Sequence, residues 1–478
     1  MSPLRSLAAA KRPSFLGARA GSAGLVVAVV AFLAYAPTER PPLLWTACGG
    51  LAVYLASQVL VLPAKGRVFL GLAAVTGAAA WVLEVPPDAL REGLFRAVFI
   101  ASLFTMFGYL RDPAEASPRM QAAGRYLAAR RPGRRYAAMT FGGHLMALAL
   151  GIGVVHLLGT MVTRATVDVD NAHIRLRRRR MLSAVARAFI VILAWSPASL
   201  AVAVVLSDLP ETSWGAVAPW CAGYALMMLL AGWALDRFVK APDGTVPPPP
   251  DSDAGARVLL PVLGLVALVF GLGAAWSSLL GVRLVIGVMT AAPVVGMAWV
   301  MLQCRRGGAG RGAALRCFAG RVERHVTEAL PSHRLEVAVL SSAVFAGSVA
   351  VALVPTEALS SLWAAVPLPG WALLAALAVL VVALAQVGLH PVLLVTAVSG
   401  ALPAPAELGV PAAAVAVALT AAWALSAASS PYAAVTLLMG RIGGETAATV
   451  GRRWNGPWTL TCLAILAAWL LVLTRAGA

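Results

Sequence analysis

The sequence predicts an all-α polytopic membrane protein with about 11 transmembrane helices in two inverted-topology repeats. Three observations lead there. Of the 478 residues, 60% are hydrophobic and only 12% charged, which excludes an ordinary soluble globule. Apolar runs of about 18 or more residues recur along the whole length, each long enough to cross ~30 Å of hydrocarbon. His156 and Ser196-Pro197 lie 40 residues apart, as do His390 and Ser430-Pro431, and the two sets are offset by 234. Such self-similarity marks a duplicated chain.

Taken in order, the first element is the run 21–36, preceded by Arg5, Lys11, Arg12 and Arg19. No small-residue cleavage site follows Tyr35, so an uncleaved first helix with a cytoplasmic N-terminus is expected, and 1–42 forms an arm plus one span. Further spans are expected at 43–62, 68–83, 94–110, 181–207, 214–235, 258–280, 283–303, 337–354, 410–440 and 456–474. Repeat 1 then covers 43–235 and repeat 2 covers 258–474. Between them, 236–257 is a cytoplasmic linker whose four prolines, Pro247 to Pro250, make a stiff polyproline spacer.

Two apolar segments fit poorly as simple crossings. The segment 137–162 has Arg130, Arg131, Arg134 and Arg135 before it and Arg175 with Arg177 to Arg180 after it. A single crossing would put one cluster outside, against the positive-inside rule, so a re-entrant hairpin is expected. Gly142, Gly143, Gly151 and Gly153 suit a reversal. The segment 371–402 is its mirror case: its flanks carry Glu357 and Glu407 and no basic residue, which puts both ends outside. With both hairpins in place, the connectors assigned inside hold 32 of the 38 Lys and Arg residues. Span 181–207 then runs outward and span 410–440 inward, so the two Ser-Pro pairs are antiparallel.

The net charge of +18 therefore sits in short connectors. It points to anionic membrane lipid, not to nucleic acid, for which no basic domain stands apart. The Arg-rich stretches 113–135 and 304–336 are expected to lie along the cytoplasmic interface. Cys48, Cys221, Cys304, Cys317 and Cys462 form no CxxC pair and read as small apolar packing residues, not a disulfide or zinc framework.

Chemistry is expected at the helix breaks. Proline lacks an N–H and clashes with the carbonyl four residues earlier. In hydrocarbon the freed carbonyls must face protein, water or an ion. The runs Ala194-Trp195-Ser196-Pro197-Ala198-Ser199 and Ser426-Ala427-Ala428-Ser429-Ser430-Pro431-Tyr432 each combine such a break with hydroxyls. A broken helix offers N–H groups that attract anions and carbonyls that ligate cations. His144, His156 and His390 fall in the hairpin segments, either as proton-coupling candidates or as neutral imidazoles bonded to carbonyls. Arg187 either snorkels to the interface or lines an anion cavity. No Asp or Glu occupies the middle of a span, which disfavours drug/proton antiporters and cation exchangers that rely on a membrane-embedded acid. No metal spacing, phosphate loop or nucleophile–base pair is present, so no enzyme activity and no cofactor is expected.

This layout resembles the ion transporter superfamily, in particular the divalent anion/sodium symporters, over most of residues 43–474. Members have two inverted repeats, each with a re-entrant hairpin followed by a helix broken near a Thr/Ser-Pro element. The matching elements here are 137–162 with Ser196-Pro197, and 371–402 with Ser430-Pro431. The family's Ser-Asn-Thr tip triplets are absent; the tips read Leu150-Gly151-Ile152-Gly153 and Val387-Gly388-Leu389-His390-Pro391. The resemblance implies an elevator-type carrier, a homodimer in the cell (bacterial cytoplasmic) membrane, with a scaffold and a hairpin-bearing transport part. A small organic anion would then sit between Ser196, Pro197, Ser199 and Ser429, Ser430, Pro431, beside Gly151, Gly153, Gly388 and His390. Sodium would be held at carbonyls near Ser196 and Ser430, or protons carried by the histidines. The competing readings are a membrane-embedded enzyme of envelope or lipid assembly, and a non-transporting membrane subunit.

Overall fold

In the computed structural model, residues 15–130, 134–164, 172–209, 212–238, 255–306, 310–355, 358, 361, 363 and 365–476 are described. Arg5, Lys11, Arg12, Arg131, Glu357 and the Pro247–Pro250 stretch of the linker lie outside them. Among the described residues the regular elements are all helical. They are α1 (Phe15–Thr38), α2 (Pro41–Gln58), α3 (Ala64–Val82), α4 (Pro87–Gly108), α5 (Pro118–Ala128), α6 (Gly143–Leu150) and α7 (Gly153–Arg164). Then come α8 (Ala172–Ile190), α9 (Leu200–Ser207), α10 (Trp214–Phe238), α11 (Leu260–Leu280), α12 (Leu284–Arg306), α13 (Arg311–Arg324) and α14 (Arg334–Ala352). The last are α15 (Gly370–Ala385), α16 (Pro391–Ala401), α17 (Ala412–Ser429), α18 (Ala434–Gly443) and α19 (Gly456–Ala476).

Eight of these helical stretches are long and apolar enough to cross a membrane: Gly21–Thr38, Pro87–Glu115, Trp214–Phe238, Ala256–Leu280, Leu284–Arg306, Arg334–Ala352, Ala412–Gly443 and Gly456–Ala476. The chain is a multi-pass membrane protein. The expected number was eleven. Residues 41–58 and 64–82 are helical without meeting that measure, and 181–207 is interrupted between α8 and α9. Prolines open several of the helices, at Pro41, Pro87, Pro118 and Pro391, where the missing N–H costs nothing.

The chain divides into two compact units. One comprises residues up to 109, 278–282 and 292–355; the other comprises 110–277, 283–291 and 356–478. In the first, α1 and α2 pack with backbones in close approach. A Cβ on Gly24 would stand 2.8 Å from the Gly50 carbonyl oxygen, and one on Gly50 would stand 2.6 Å from that of Gly24. Phe32, Phe95 and Phe99 cluster with ring centroids about 6 Å apart beside Tyr35. The Tyr54 hydroxyl donates to the Leu330 carbonyl at 3.2 Å. Cys304 and Cys317 correct the sequence expectation: they form a disulfide, with Cα atoms 5.9 Å apart. Cys304 lies on α12 and Cys317 on α13, so the pairing joins two helices despite the lack of a motif. Cys48, Cys221 and Cys462 are free, and the last two are buried.

The second unit contains both helix–turn–helix segments and both interrupted helices. Residues 135–164 run through a π-helical turn at Ala138–Gly142, then α6, a turn at Gly151-Ile152, and α7. Residues 370–401 run through α15, a turn about Gly388, and α16. Four hydrogen bonds set α7–α9 against α16–α18. The Thr163 hydroxyl and Arg178 both donate to the Ile442 carbonyl at 3.2 Å, so the start of α8 lies beside the end of α18. Midway, the Thr420 hydroxyl donates to the Ala194 carbonyl at 3.0 Å. At the far end the Ser399 hydroxyl donates to the Asp208 carboxylate, and Asp208, Ser399, Pro405, Val415 and Leu419 line a recess of about 90 Å³. The two interrupted helices therefore run antiparallel. α17 is their centre: every residue from Ala414 to Ser429 is buried.

The arginine cluster after the first hairpin also differs from expectation. Arg175 and Arg177 to Arg180 lie on α8 itself, not in a connector, because the helix begins at Ala172. The stretch 165–171 before it lies outside the described residues.

Candidate substrate site

At the first break, α8 tightens into a 3-10 turn at Val191–Ala194 and α9 restarts at Leu200. Pro197 leaves the Leu193 carbonyl without its helical N–H. The Ser199 hydroxyl donates to that carbonyl at 3.4 Å and accepts from the Val202 N–H at 3.1 Å, capping α9. Ser196 is buried, and its hydroxyl accepts from the Ala198 N–H at 3.2 Å. The Trp195 carbonyl accepts from the Trp214 indole at 3.0 Å. Every polar group named here is bonded within the protein.

The second break is built differently. Pro431 frees the Ala427 carbonyl in the same way. The offset of 234 that relates the breaks puts Ala433 where the first has Ser199, so no hydroxyl is there to cap it. In the same turn the Ser426 hydroxyl is fully buried without a hydrogen-bond partner. Ser429 donates to the Leu425 carbonyl at 2.8 Å and accepts from the Gln386 amide at 3.0 Å. Ser430 donates to the Ala385 carbonyl at 2.6 Å and accepts from the Tyr432 N–H at 3.2 Å. Ala385 and Gln386 end α15, so these bonds clamp the second hairpin onto the break. The hairpin tip joins them: Gly388 has φ +103°, which favours glycine, and a Cβ there would lie 3.6 Å from the Tyr432 ring. His390 caps α16 through Nδ1, which accepts from the Val392 N–H at 3.3 Å.

Behind this break lies a buried cation. Arg187 is 7% exposed and neither snorkels nor lines an open cavity. Its Nη1 donates to the Tyr136 hydroxyl at 2.7 Å, Nε to Asn455 Oδ1 at 3.1 Å and Nη2 to the Trp454 carbonyl at 2.9 Å. The guanidinium also stacks 5.3 Å from the Trp458 ring centre. Asn455 then donates to the Ala428 carbonyl at 3.2 Å, inside the break. All four partners are neutral, so the charge stays uncompensated by contact and its field reaches the break. A π-helical turn at Thr449–Trp454 presents Gly451 to the Ser429 carbonyl, where a Cβ would come within 2.3 Å.

The structure thus joins Gly388, His390, Ser429, Ser430 and Pro431 into one neighbourhood. It does not bring Ser196, Pro197 and Ser199 to them. Ala194 is level with Thr420, ten residues before Ser430, which at 1.5 Å per residue is ~15 Å along α17. The expected single site between the two serine sets is therefore not assembled, because the antiparallel register offsets the breaks. Gly151, with φ +54°, has nothing within 4 Å of a Cβ, and Gly153 lies beside Arg111. His156 is exposed on α7. His144 is bonded at both ring nitrogens, to the Ala188 carbonyl at 2.8 Å and to the Trp195 indole N–H at 3.2 Å. That is the neutral tautomer with its proton on Nδ1. Sequence reasoning missed Gln386, Thr420, Gly451 and Asn455. Asn455 carried a signal, as one of two asparagines in the chain.

No protein-family model matches the chain, and no curated protein sequence matches it. Among solved structures it is similar to the crystal structure of the Alcanivorax borkumensis YdaH transporter, described as having an unusual topology. The identity is 16% over 86% of this chain and 97% of that one, with a TM-score of 0.48.

Proposed function

We propose that this protein is a secondary active transporter of a small organic anion, coupled to sodium or protons and working by elevator-type alternating access between two inverted repeats. The observation that carries the reading is the antiparallel pair of interrupted helices, with one break clamped to a hairpin tip. A proline break in a buried helix costs backbone hydrogen bonds, and the second break lacks the serine that caps the first. The Ser426 hydroxyl and the Ala427 carbonyl are electronegative groups suited to a small cation such as sodium. The Arg187 charge, relayed through Asn455, favours an anion in the same neighbourhood. An anion and its coupling cation would each lower the other's cost there.

The substrate neighbourhood is accordingly the second break with Gly388, His390, Ser429 and Ser430, while Ser196 and Ser199 serve to close the first. A homodimer is part of the same reading. The test is uptake into proteoliposomes, with substrates chosen by a thermal-stabilisation screen of carboxylates, sulfonates and inorganic anions with and without sodium. Ser430→Ala is expected to lower uptake by about tenfold, the loss of one charge-assisted or buried hydrogen bond. Ser196→Ala is expected to matter less. Unchanged uptake in Ser430→Ala would rule out this placement.

A further inference from the structure

Some of the arginines around the opening of the first hairpin keep buried N–H groups that have no acceptor among the described residues. Arg135 is 7% exposed, and its Nε donates to the Arg130 carbonyl at 2.6 Å. Its Nη2 is buried with no hydrogen-bond partner, and so is Nε of Arg177. Among the described residues, the carboxylate of Asp236 is already taken: Arg180 holds it through Nε at 2.7 Å and Nη2 at 2.5 Å. Burial, together with the charges of Arg177 and Arg180, pulls Arg135 down from its ordinary value to about 10. Burying guanidinium donors without an acceptor costs free energy that a folded chain normally avoids. A ligand with several anionic oxygens recovers that cost, and phosphate offers acceptors to more than one guanidinium N–H at once.

We infer that Arg135 and Arg177 form a binding site for a phosphate group, carried either by an anionic lipid headgroup or by a soluble phosphate. The site is separate from the second break and stands whether or not the protein transports an anion. Arg187, whose donors are occupied, is not part of it.

The test uses the purified full-length protein in neutral detergent, titrated with inorganic phosphate, phosphatidylglycerol or phosphatidylcholine of the same chains at constant ionic strength, and read by thermal stabilisation. Arg135→Gln and Arg177→Gln are compared with Arg134→Gln, an exposed arginine, as the matched loss of charge. Stabilisation by phosphatidylglycerol alone assigns the headgroup; stabilisation by inorganic phosphate assigns the soluble anion. In either case each site variant is expected to weaken apparent affinity by about tenfold and the control by less than about twofold. Arg177, being half-buried, keeps the test open should Arg135→Gln fold poorly. No response to either phosphate compound, or the same response in Arg177→Gln as in the parent, would overturn the inference.

Discussion

Replacing Asn455 with leucine tests whether the buried cation is wired to the second break. The substitution keeps the branching and the heavy-atom count but removes two bonds, from Arg187 Nε at 3.1 Å and to the Ala428 carbonyl at 3.2 Å. The first is charge-assisted, worth about 1.5–3 kcal/mol, and the orphaned carbonyl costs about 1–3 kcal/mol more. Asn455 is fully buried, so water does not replace either partner. A loss of about 3–5 kcal/mol is therefore expected. Arg187→Met should cost a similar amount, since it strands Tyr136, Asn455 and the Trp454 carbonyl. The shared Arg187–Asn455 bond is removed in both single variants, so the double variant should cost about 2 kcal/mol less than their sum. Unfolding in mixed micelles, followed by tryptophan fluorescence, measures all four corners of the cycle. Additivity to within about 0.5 kcal/mol would show that the two residues act independently, and the relay would be wrong.

Other perturbations reach the remaining parts of the argument. Gly451→Ala would drive a Cβ to 2.3 Å from the Ser429 carbonyl oxygen, a backbone atom that cannot swing away. It should cost about 1–3 kcal/mol in the same assay, against little for Gly456→Ala, which faces open space; equal effects would argue against close packing at the break. His144→Phe leaves the Trp195 N–H and the Ala188 carbonyl unpartnered and should destabilise by about 2–4 kcal/mol, whereas an unchanged melting temperature would mean that neither bond forms. Single cysteines placed by Arg175→Cys and Glu407→Cys, both at exposed positions, should react with impermeant thiol reagents from opposite sides of the membrane. Labelling from one side would defeat the inverted arrangement.

What could be read from the chain was what the local backbone decides. Proline at 197 and 431 breaks a helix wherever it falls, and glycine at 151 and 388 takes up positive φ in the turns. Hydropathy likewise marks helices one at a time. What depends on distant partners was not legible. Arg187 reads as a surface anchor until Tyr136, Trp454 and Asn455, up to 268 residues away, supply its hydrogen bonds. The Cys304–Cys317 pairing depends on how two helices lie beside each other, which composition does not report. Register between α8–α9 and α17–α18 is the clearest case. Matched spacing suggested that the Ser-Pro pairs meet, yet the Thr420–Ala194 bond sets them ~15 Å apart along α17.

That offset changes how the expected duplication bears on chemistry. Two copies of one motif invite the expectation of two equal half-sites, each contributing hydroxyls. The first break spends its hydroxyl: Ser199 caps the carbonyl freed by Pro197 and starts α9. The second, with alanine at the corresponding position, leaves the carbonyl freed by Pro431 and the adjacent Ser426 hydroxyl without such repair. The two breaks thus differ in their serine cap, and the second keeps an unsatisfied hydroxyl at a buried turn. Unsatisfied groups in a low-dielectric interior are costly to retain. The presence of one at the break that also receives the Arg187–Asn455 relay and the hairpin clamp is the reason to seek ligand binding there and not at a shared midpoint. Restoring the hydroxyl with Ala433→Ser would, on this reasoning, cap the Ala427 carbonyl, raise thermal stability by up to about 1 kcal/mol and weaken cation-dependent stabilisation. A variant that gained stability while keeping its full sodium response would separate the orphaned carbonyl from cation binding.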